Sequence, residues 1–587
     1  MYDSHLMIIH NSFDIPKEKT AAVKGIRSMA SRDQNSSDST NIVRRSANYK
    51  PTIWHYDYIQ SLKSEYVGVS YTRKLAKLKG EVTMMFHKVL EPPKQLDLVD
   101  ILQRLGVSYH FEDDIRRILK EICNTSTHNG DVCKESLYTT ALEFRLLRQN
   151  GYNVPQEIFS SLMNEKGNFK EYLCDDIEGM LALYEASFLL IEGESIMEEA
   201  REFATKHLKE YVNKNNDQNL CARVNHALEL PLHWRMPRLE ARWFIDVYKS
   251  REDMNSILLE LAELDFNMVQ AVHQEDLKEG SNWWRHTGLG DLSFARDRLM
   301  ENFLWTVGVS FQPGLGYNRR VLTKVNALIT TIDDVYDIYG TLDELELFTD
   351  AVERWDANAT EKLPYYMQQC FLSLHNTINE IAFENLKEKG FNNIRYLKKA
   401  WVDLCKAYLL EAKWYYNSYT PSFQEYIENA WVSISAPVIL VHAYFAVTNP
   451  ITKESCDFLE AEYPNIIRCS SMILRLADDL GTSTDELERG DVPKSIQCYM
   501  NDTGVSEEDA RNYVRSLISA TWEKFNKERT VTSPFSKTYI EIAMNLGRMA
   551  QCMYQYGDGH GSAESETKDR VLALLIHPIP LPKNIDG

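Results

Sequence analysis

Residues 321–340 read Val-Leu-Thr-Lys-Val-Asn-Ala-Leu-Ile-Thr-Thr-Ile-Asp-Asp-Val-Tyr-Asp-Ile-Tyr-Gly. The run is apolar and of helix length, ends in three carboxylates, Asp333, Asp334 and Asp337, and stops at Gly340. At 3.6 residues per turn, Asp333 and Asp337 stack on one face, about 6 Å apart along the axis. No basic residue stands within the cluster. Carboxylates at the end of an apolar helix are costly unless paired or bound to metal. Hard oxygen donors in this number suit Mg²⁺ or Mn²⁺, with a phosphate completing the shell. Taken alone, a solvated helix end with surface acids explains such a stretch equally well.

Outward from this run, the rest of the chain is helical in pattern. Residues 138–148, 180–190 and 257–269 place apolar side chains at the i, i+3, i+4, i+7 spacing. Alternating Val-, Ile- and Thr-rich runs bounded by turns are nearly absent, so no substantial sheet is expected. No fixed-period self-similarity appears, which excludes a solenoid of short identical repeats. The polar segment 247–255 between two apolar helices is the candidate junction. The expected architecture is all-α: a leader or disordered tail at 1–43, an N-terminal helical domain at 44–252 and a C-terminal domain at 253–587 that carries the acidic helix. The leader contains a polar Ser-Ser-Asp-Ser-Thr run (36–40). Its acids spoil a plastid transit pattern, which is poor in acidic residues.

With 587 residues, 44% of them hydrophobic, the chain can build two large cores. A formal net charge of −20 argues against nucleic acid and anionic membrane surfaces as partners. The ten cysteines show no CxxC pair, so a reduced compartment is expected, not a disulfide framework. The uncharged run 430–452 has the length of a membrane span, but its polar residues and Pro437 mark it as a buried core helix broken near the proline.

A second stretch removes most of the ambiguity of the first. Residues 475–486 read Arg-Leu-Ala-Asp-Asp-Leu-Gly-Thr-Ser-Thr-Asp-Glu. Asp478, Thr482 and Glu486 fall at i, i+4 and i+8 on one helical stripe spanning about 12 Å. Helical side chains lean toward the N-terminus, so the long Glu486 reaches back toward Asp478 across the Thr482 hydroxyl. This donor set again suits Mg²⁺. Arg475, three residues before Asp478, faces the same way and can grip a phosphate through two hydrogen bonds.

Together these marks resemble the plant class I terpene synthases, and within them the angiosperm monoterpene synthase branch. The resemblance covers 44–587. It rests on Arg44-Arg45 followed by Trp54, on Phe294-Ala-Arg-Asp-Arg (294–298), on the Asp333–Asp337 motif and on Asp478, Thr482 and Glu486. It implies that Asp333 and Asp337, with Asp334 alongside, bind two Mg²⁺ ions, and that Asp478, Thr482 and Glu486 bind a third, with Mn²⁺ as an alternative. Arg296 and Arg475 would contact the diphosphate of a prenyl diphosphate substrate, and Arg298 would help to close the site. Arg296 and Arg298 lie two apart and cannot share one helix face; a helix capped by Asp291 or Ser293 is expected to carry them. Trp305 and Tyr554 are candidates for stabilising an allylic cation through their ring faces. The Gly-rich 556–561 stretch would act as a lid, and Arg44-Arg45 would fold across the mouth. Isoprene synthases of the nearest group carry Phe where this chain has Asn326 and Leu474. Smaller residues there leave a deeper pocket, lined also by Ile434, and favour geranyl diphosphate. The Asp-x-Asp-Asp protonation motif of class II enzymes is absent, so the N-terminal domain is expected to be structural.

The expected activity is therefore a Mg²⁺-dependent lyase giving an acyclic or simple monoterpene of the ocimene, myrcene or linalool type. The expected enzyme is a plastid monomer. The alternatives are a cytosolic farnesene-type synthase acting on farnesyl diphosphate, a chain-elongating prenyltransferase, disfavoured because the second stretch is not a DDxxD, and a non-catalytic helical binding protein.

Overall fold

The structure, a computed structural model, describes residues 44–128, 136–214, 218–489, 492–531, 533–561 and 566–581. The leader at 1–43 lies outside the described residues. The side chains of 484–489, Glu486 among them, lie outside them as well.

The longest of the described helices begins and ends where its sequence supplies a cap. Asn255 accepts hydrogen bonds from the N–H groups of Ile257 and Leu258, at 3.0 and 3.3 Å, and so opens the helix Ser256–Thr287. Gly288 closes that helix at φ 66°, in the left-handed region. The segment 247–255 holds the end of Pro237–Lys249 and the turn leading to Asn255. Of the three patterned runs, 138–148 lies in Leu137–Gln149 and 257–269 in Ser256–Thr287. The third starts inside Ile177–Ser187 and leaves it at Phe188. Among the described residues there is no strand, only an isolated bridge between Met163 and Phe169. From Arg44 onward the chain is one compact unit.

The acidic helix Gly316–Asp334 sits at the centre of the C-terminal half. It packs against Ser256–Thr287, Leu299–Val309 and Ala436–Val447, and the last of these packs against Asn465–Arg489 and Lys537–Met553. The apolar run 430–452 is two helices, Phe423–Ser433 and Ala436–Val447. Ser435, at φ 69°, makes the break. Pro437 falls in the first turn of the second helix, where its missing N–H has no partner to lose. Phe423–Val447 is apolar and long enough to cross a membrane, yet 72% of its apolar window is buried in the protein. Each fully buried Leu, Ile, Val or Phe contributes about 1.5–3 kcal/mol over exposure, and Val438, Leu440, Val441 and Phe445 are all within 2% of complete burial. It is a core element.

Candidate active site

The acidic helix does not run to Gly340 as a regular α-helix. It ends at Asp334 and continues as a π-helical turn, Val335–Tyr339. The turn is closed by a 2.8 Å hydrogen bond from the Gly340 N–H to the Val335 carbonyl. A side chain at 340 would meet that carbonyl at 2.9 Å, which is why a glycine stands there. The wider turn separates the roles of the three acids. Asp333 and Asp337 line a cavity of about 160 Å³, whereas Asp334 is fully buried.

The charge on Asp334 is met from a distant part of the chain. Its Oδ2 accepts the Arg296 backbone N–H at 2.7 Å, and its Oδ1 lies 2.9 Å from the Arg296 Nε. The same guanidinium donates to Asp333 Oδ2 at 2.6 Å. Burial works against both partners, raising the Asp334 carboxyl pKa and opposing the guanidinium charge. The Asp334 carboxylate, then Tyr49 and Asp333, nevertheless hold Arg296 firmly protonated. The Arg296 N–H is held by Asp334, and residues 296–298 are not helical. The expected helix over Arg296 and Arg298 in fact starts at Leu299, with Arg298 at its cap position and both arginines in the segment before it. Arg298 is buried and does not line the cavity. It donates to the carbonyls of Lys50 and Gly561, each at 3.0 Å.

The second stripe repeats this arrangement on Asn465–Arg489. Asp478 and Thr482 line the same cavity as Asp333 and Asp337, and so does Arg475. The Arg475 guanidinium bonds to Asp478 and lies 2.7 Å from Asp479 Oδ1. Asp479 is fully buried, accepting the Tyr426 hydroxyl at 3.0 Å and the Ser495 N–H at 3.1 Å. The Thr482 hydroxyl donates to the Asp478 carbonyl at 3.0 Å, which leaves its oxygen lone pairs available to a cation. Gly481 lets this helix approach the 554–557 segment: a Cβ there would stand 3.0 Å from that of Tyr554 and 3.2 Å from the Gly557 carbonyl.

Between the stripes the wall is mixed. Asn326, Ile434, Leu474, Trp305 and Tyr554 line the cavity, with the Trp305 and Tyr554 ring centres 6.2 Å apart. Burial, reinforced by the carboxylates of Asp478 and Asp558, raises the Tyr554 pKa well above the usual phenol value. Glu411, Lys494, Tyr408, Asp558 and His560 also line the cavity and were not singled out by sequence reasoning. Lys494 is buried, with its Nζ 3.9 Å from Glu411 Oε2. Glu411 accepts the hydroxyl of Ser433 at 2.5 Å and the amide of Asn429 at 3.1 Å. Burial, then Arg296, pushes the His560 pKa down to about 4, so its imidazole is neutral at pH 7. Buried polar residues that point into a cavity were the only available signal, and one sequence does not reveal burial.

A strap covers the mouth. Arg44 pairs with Glu344 at 2.8 Å and donates to the Tyr339 carbonyl at 2.8 Å. Its guanidinium also lies 4.5 Å from the Tyr339 ring centre. Arg45 donates to the Asp337 carbonyl at 2.8 Å. Tyr49 lines the cavity beneath the Arg296 guanidinium, 5.0 Å from its ring centre. Among the described residues no three His, Cys, Asp or Glu side chains converge closely enough to hold an ion unaided. The donors on the two stripes still fit Mg²⁺, which takes one or two carboxylates and fills its octahedron with water and substrate phosphate.

Comparison with known proteins gives the same reading. Residues 285–524 match the terpene synthase family, metal binding domain, and residues 53–228 match the terpene synthase N-terminal domain. The chloroplastic myrcene synthase of Quercus ilex is 67% identical, over 93% of this chain and 92% of the relative. The (−)-alpha-terpineol synthase of Vitis vinifera is 63% identical, over 98% and 97%. The crystal structure of limonene synthase with 2-fluorolinalyl diphosphate superposes with a TM-score of 0.90 at 48% identity, covering 92% of this chain and all of that one. Isoprene synthase from grey poplar (Populus x canescens), in complex with three Mg²⁺ ions and dimethylallyl-S-thiolodiphosphate, gives 0.83 at 50% identity, covering 90% and 99%. This chain belongs to the terpene synthase family and is a class I enzyme, a lyase built on its two-part helical fold.

Proposed function

We propose that the chain is a plastid monoterpene synthase that ionises geranyl diphosphate and releases an acyclic or simple monoterpene of the ocimene, myrcene or linalool type. The observation that carries this reading is the single cavity onto which both acidic stripes, Arg296, Arg475 and Lys494 converge. Relatives named as myrcene, (Z)-beta-ocimene and limonene synthases support the ten-carbon substrate. Relatives named as chloroplastic support the plastid address. The domain division at 252/253 and a monomeric state belong to the same proposal.

In this reading Asp333, Asp337, Asp478, Thr482 and Glu486 hold three Mg²⁺ ions, Mn²⁺ being an alternative, and Asp334 acts alongside by fixing Arg296. When bound, Mg²⁺ supplies Lewis-acid stabilisation of the charge on the departing diphosphate. Arg296, Arg475 and Lys494 grip the diphosphate oxygens and are already aimed by buried carboxylates, so little reorganisation is needed as charge develops. Arg298 ties the strap to the 557–561 loop and thereby excludes water from the cation. Trp305 and Tyr554 offer ring faces to the allylic cation. Asn326, Ile434 and Leu474 limit the depth to which the prenyl chain enters.

The test is gas chromatography of volatiles after incubation with geranyl, farnesyl and dimethylallyl diphosphates separately, with Mg²⁺ or with a chelator. Ten-carbon product from geranyl diphosphate that vanishes on chelation is the expected result. Fifteen-carbon product alone would transfer the enzyme to the farnesyl reading. No volatile from any substrate would return it to the binding-protein reading.

A further inference from the structure

We propose that a second anion site, for a diphosphate group either free or carried on a prenyl chain, lies in the cleft between the N-terminal helices and Lys537–Met553. This cleft has a volume of about 910 Å³ and shares no lining residue with the acidic cavity. Seven cationic side chains line it, and four are matched by carboxylates, Arg104 by Glu240, Arg116 by Asp113, Arg145 by Asp100 and Arg235 by Glu229, so the positive charge to be accounted for is that of Arg529, Arg548 and Lys537.

Those three cations gather about Glu541. Arg529 and Arg548 share a single carboxylate, Glu541, at 2.7 and 2.6 Å. That carboxyl is held down at about 2: burial opposes the shift, but Arg529 and Arg548 outweigh it. Lys537, exposed within the cleft, hydrogen-bonds to the neutral Asn150 side chain at 3.2 Å. It has no carboxylate within ion-pair distance among the described residues. Crowding by protein, then the Arg529 charge, lowers its pKa; Arg116 adds to the effect, while Glu541 and Glu112 oppose it. Three cations face two carboxylates, Glu541 and Glu112, which leaves positive charge that an anion would neutralise. Apolar side chains, Phe311 and Ile542 among them, complete the lining. The cleft therefore offers cations to a diphosphate and apolar side chains to a hydrocarbon chain.

The experiment uses the full chain in chelator, so that the metal-dependent cavity is disabled. Inorganic diphosphate and geranyl diphosphate are titrated separately by calorimetry against wild type and Lys537→Glu. The expected result is metal-independent binding of inorganic diphosphate to wild type that weakens about tenfold or more in Lys537→Glu, with Mg²⁺-dependent turnover of geranyl diphosphate unchanged. Binding of geranyl diphosphate alone, lost in the same variant, would assign the site to the prenyl ester. Absence of both, or affinities unchanged by Lys537→Glu, would overturn the proposal. Lys537→Gln, which removes the charge without reversing it, should fall between the two. This outcome does not depend on which volatile the enzyme makes.

Discussion

Asp334 and Asp479 stand in the same relation to the cavity on two different helices. Each is fully buried, each follows directly after a carboxylate that lines the cavity, and each holds an arginine, Arg296 at 2.9 Å and Arg475 at 2.7 Å. The first acid of each pair faces the chemistry, and the second fixes the cation that works beside it. Substitution should separate these roles. Asp333→Ala and Asp478→Ala should lower turnover by about 100-fold or more with far-UV helicity intact. Asp334→Ala takes away the fully buried partner of Arg296, leaving it Asp333 alone, and should also cost about 3 kcal/mol of stability. Thermal melts alongside product assays check this. An Asp334→Ala protein as stable as wild type would remove the positioning role.

The strap makes a second prediction. Burial alone would raise the Glu344 carboxyl, but Arg44 outweighs it and brings the pKa down to about 2. A carboxyl depressed in this way contributes its full stabilisation above its usual value near 4.5 and loses it only as pH falls toward 2. The strap should therefore stay latched at every physiological pH. Arg44→Ala removes that contribution and should lower the melting temperature measurably, lower turnover several-fold and raise the alcohol fraction as water enters. Chromatography of the product mixture measures this, and an unchanged mixture would argue that the strap excludes no water.

Asn326 makes the third. It lies in the cavity wall on the central helix, and its buried amide oxygen has no hydrogen-bond partner. Asn326→Phe should shorten the pocket and move the preference from geranyl toward dimethylallyl diphosphate by about tenfold or more in kcat/KM. An unchanged ratio would place the depth-setting wall elsewhere.

Glu301 gives a prediction in pH. It is buried below the strap, near Trp54, and burial raises its pKa to about 7 despite the Arg298 charge. A raised carboxyl contributes fully below its unfolded value and loses that contribution as pH rises through the folded one. Stability should therefore fall between pH 4.5 and about 7. Glu301→Gln, neutral at all pH, should gain about 2–3 kcal/mol on wild type at pH 8 and nothing at pH 4.5. Denaturant unfolding at both pH values decides it; equal differences at the two would contradict the shift.

Both acidic stripes were legible because ligand spacing on a helix is a local property, written as i and i+4. The all-α architecture was legible for the same reason, and the family signature lay within the same motifs. What pairs with Asp334 was not legible, because Arg296 lies 38 residues away and reaches it only through the fold. The late helix start at Leu299 was not legible either. The π-helical turn left no periodic trace, since five residues are too few to show a period. Lys494, Glu411 and His560 come from separate segments that meet only in three dimensions.

Arg298 touches both ends of the chain at once, through the Lys50 and Gly561 carbonyls. One guanidinium thereby serves as a common bolt for a segment near the start and a loop near the end. A truncation that keeps residues 44–50 leaves both leaves of the door hung, whereas one that removes Lys50 takes away the front leaf and one of the three carbonyls that hold the bolt. Closure at Gly561 is thus tied to a carbonyl more than five hundred residues earlier in the chain.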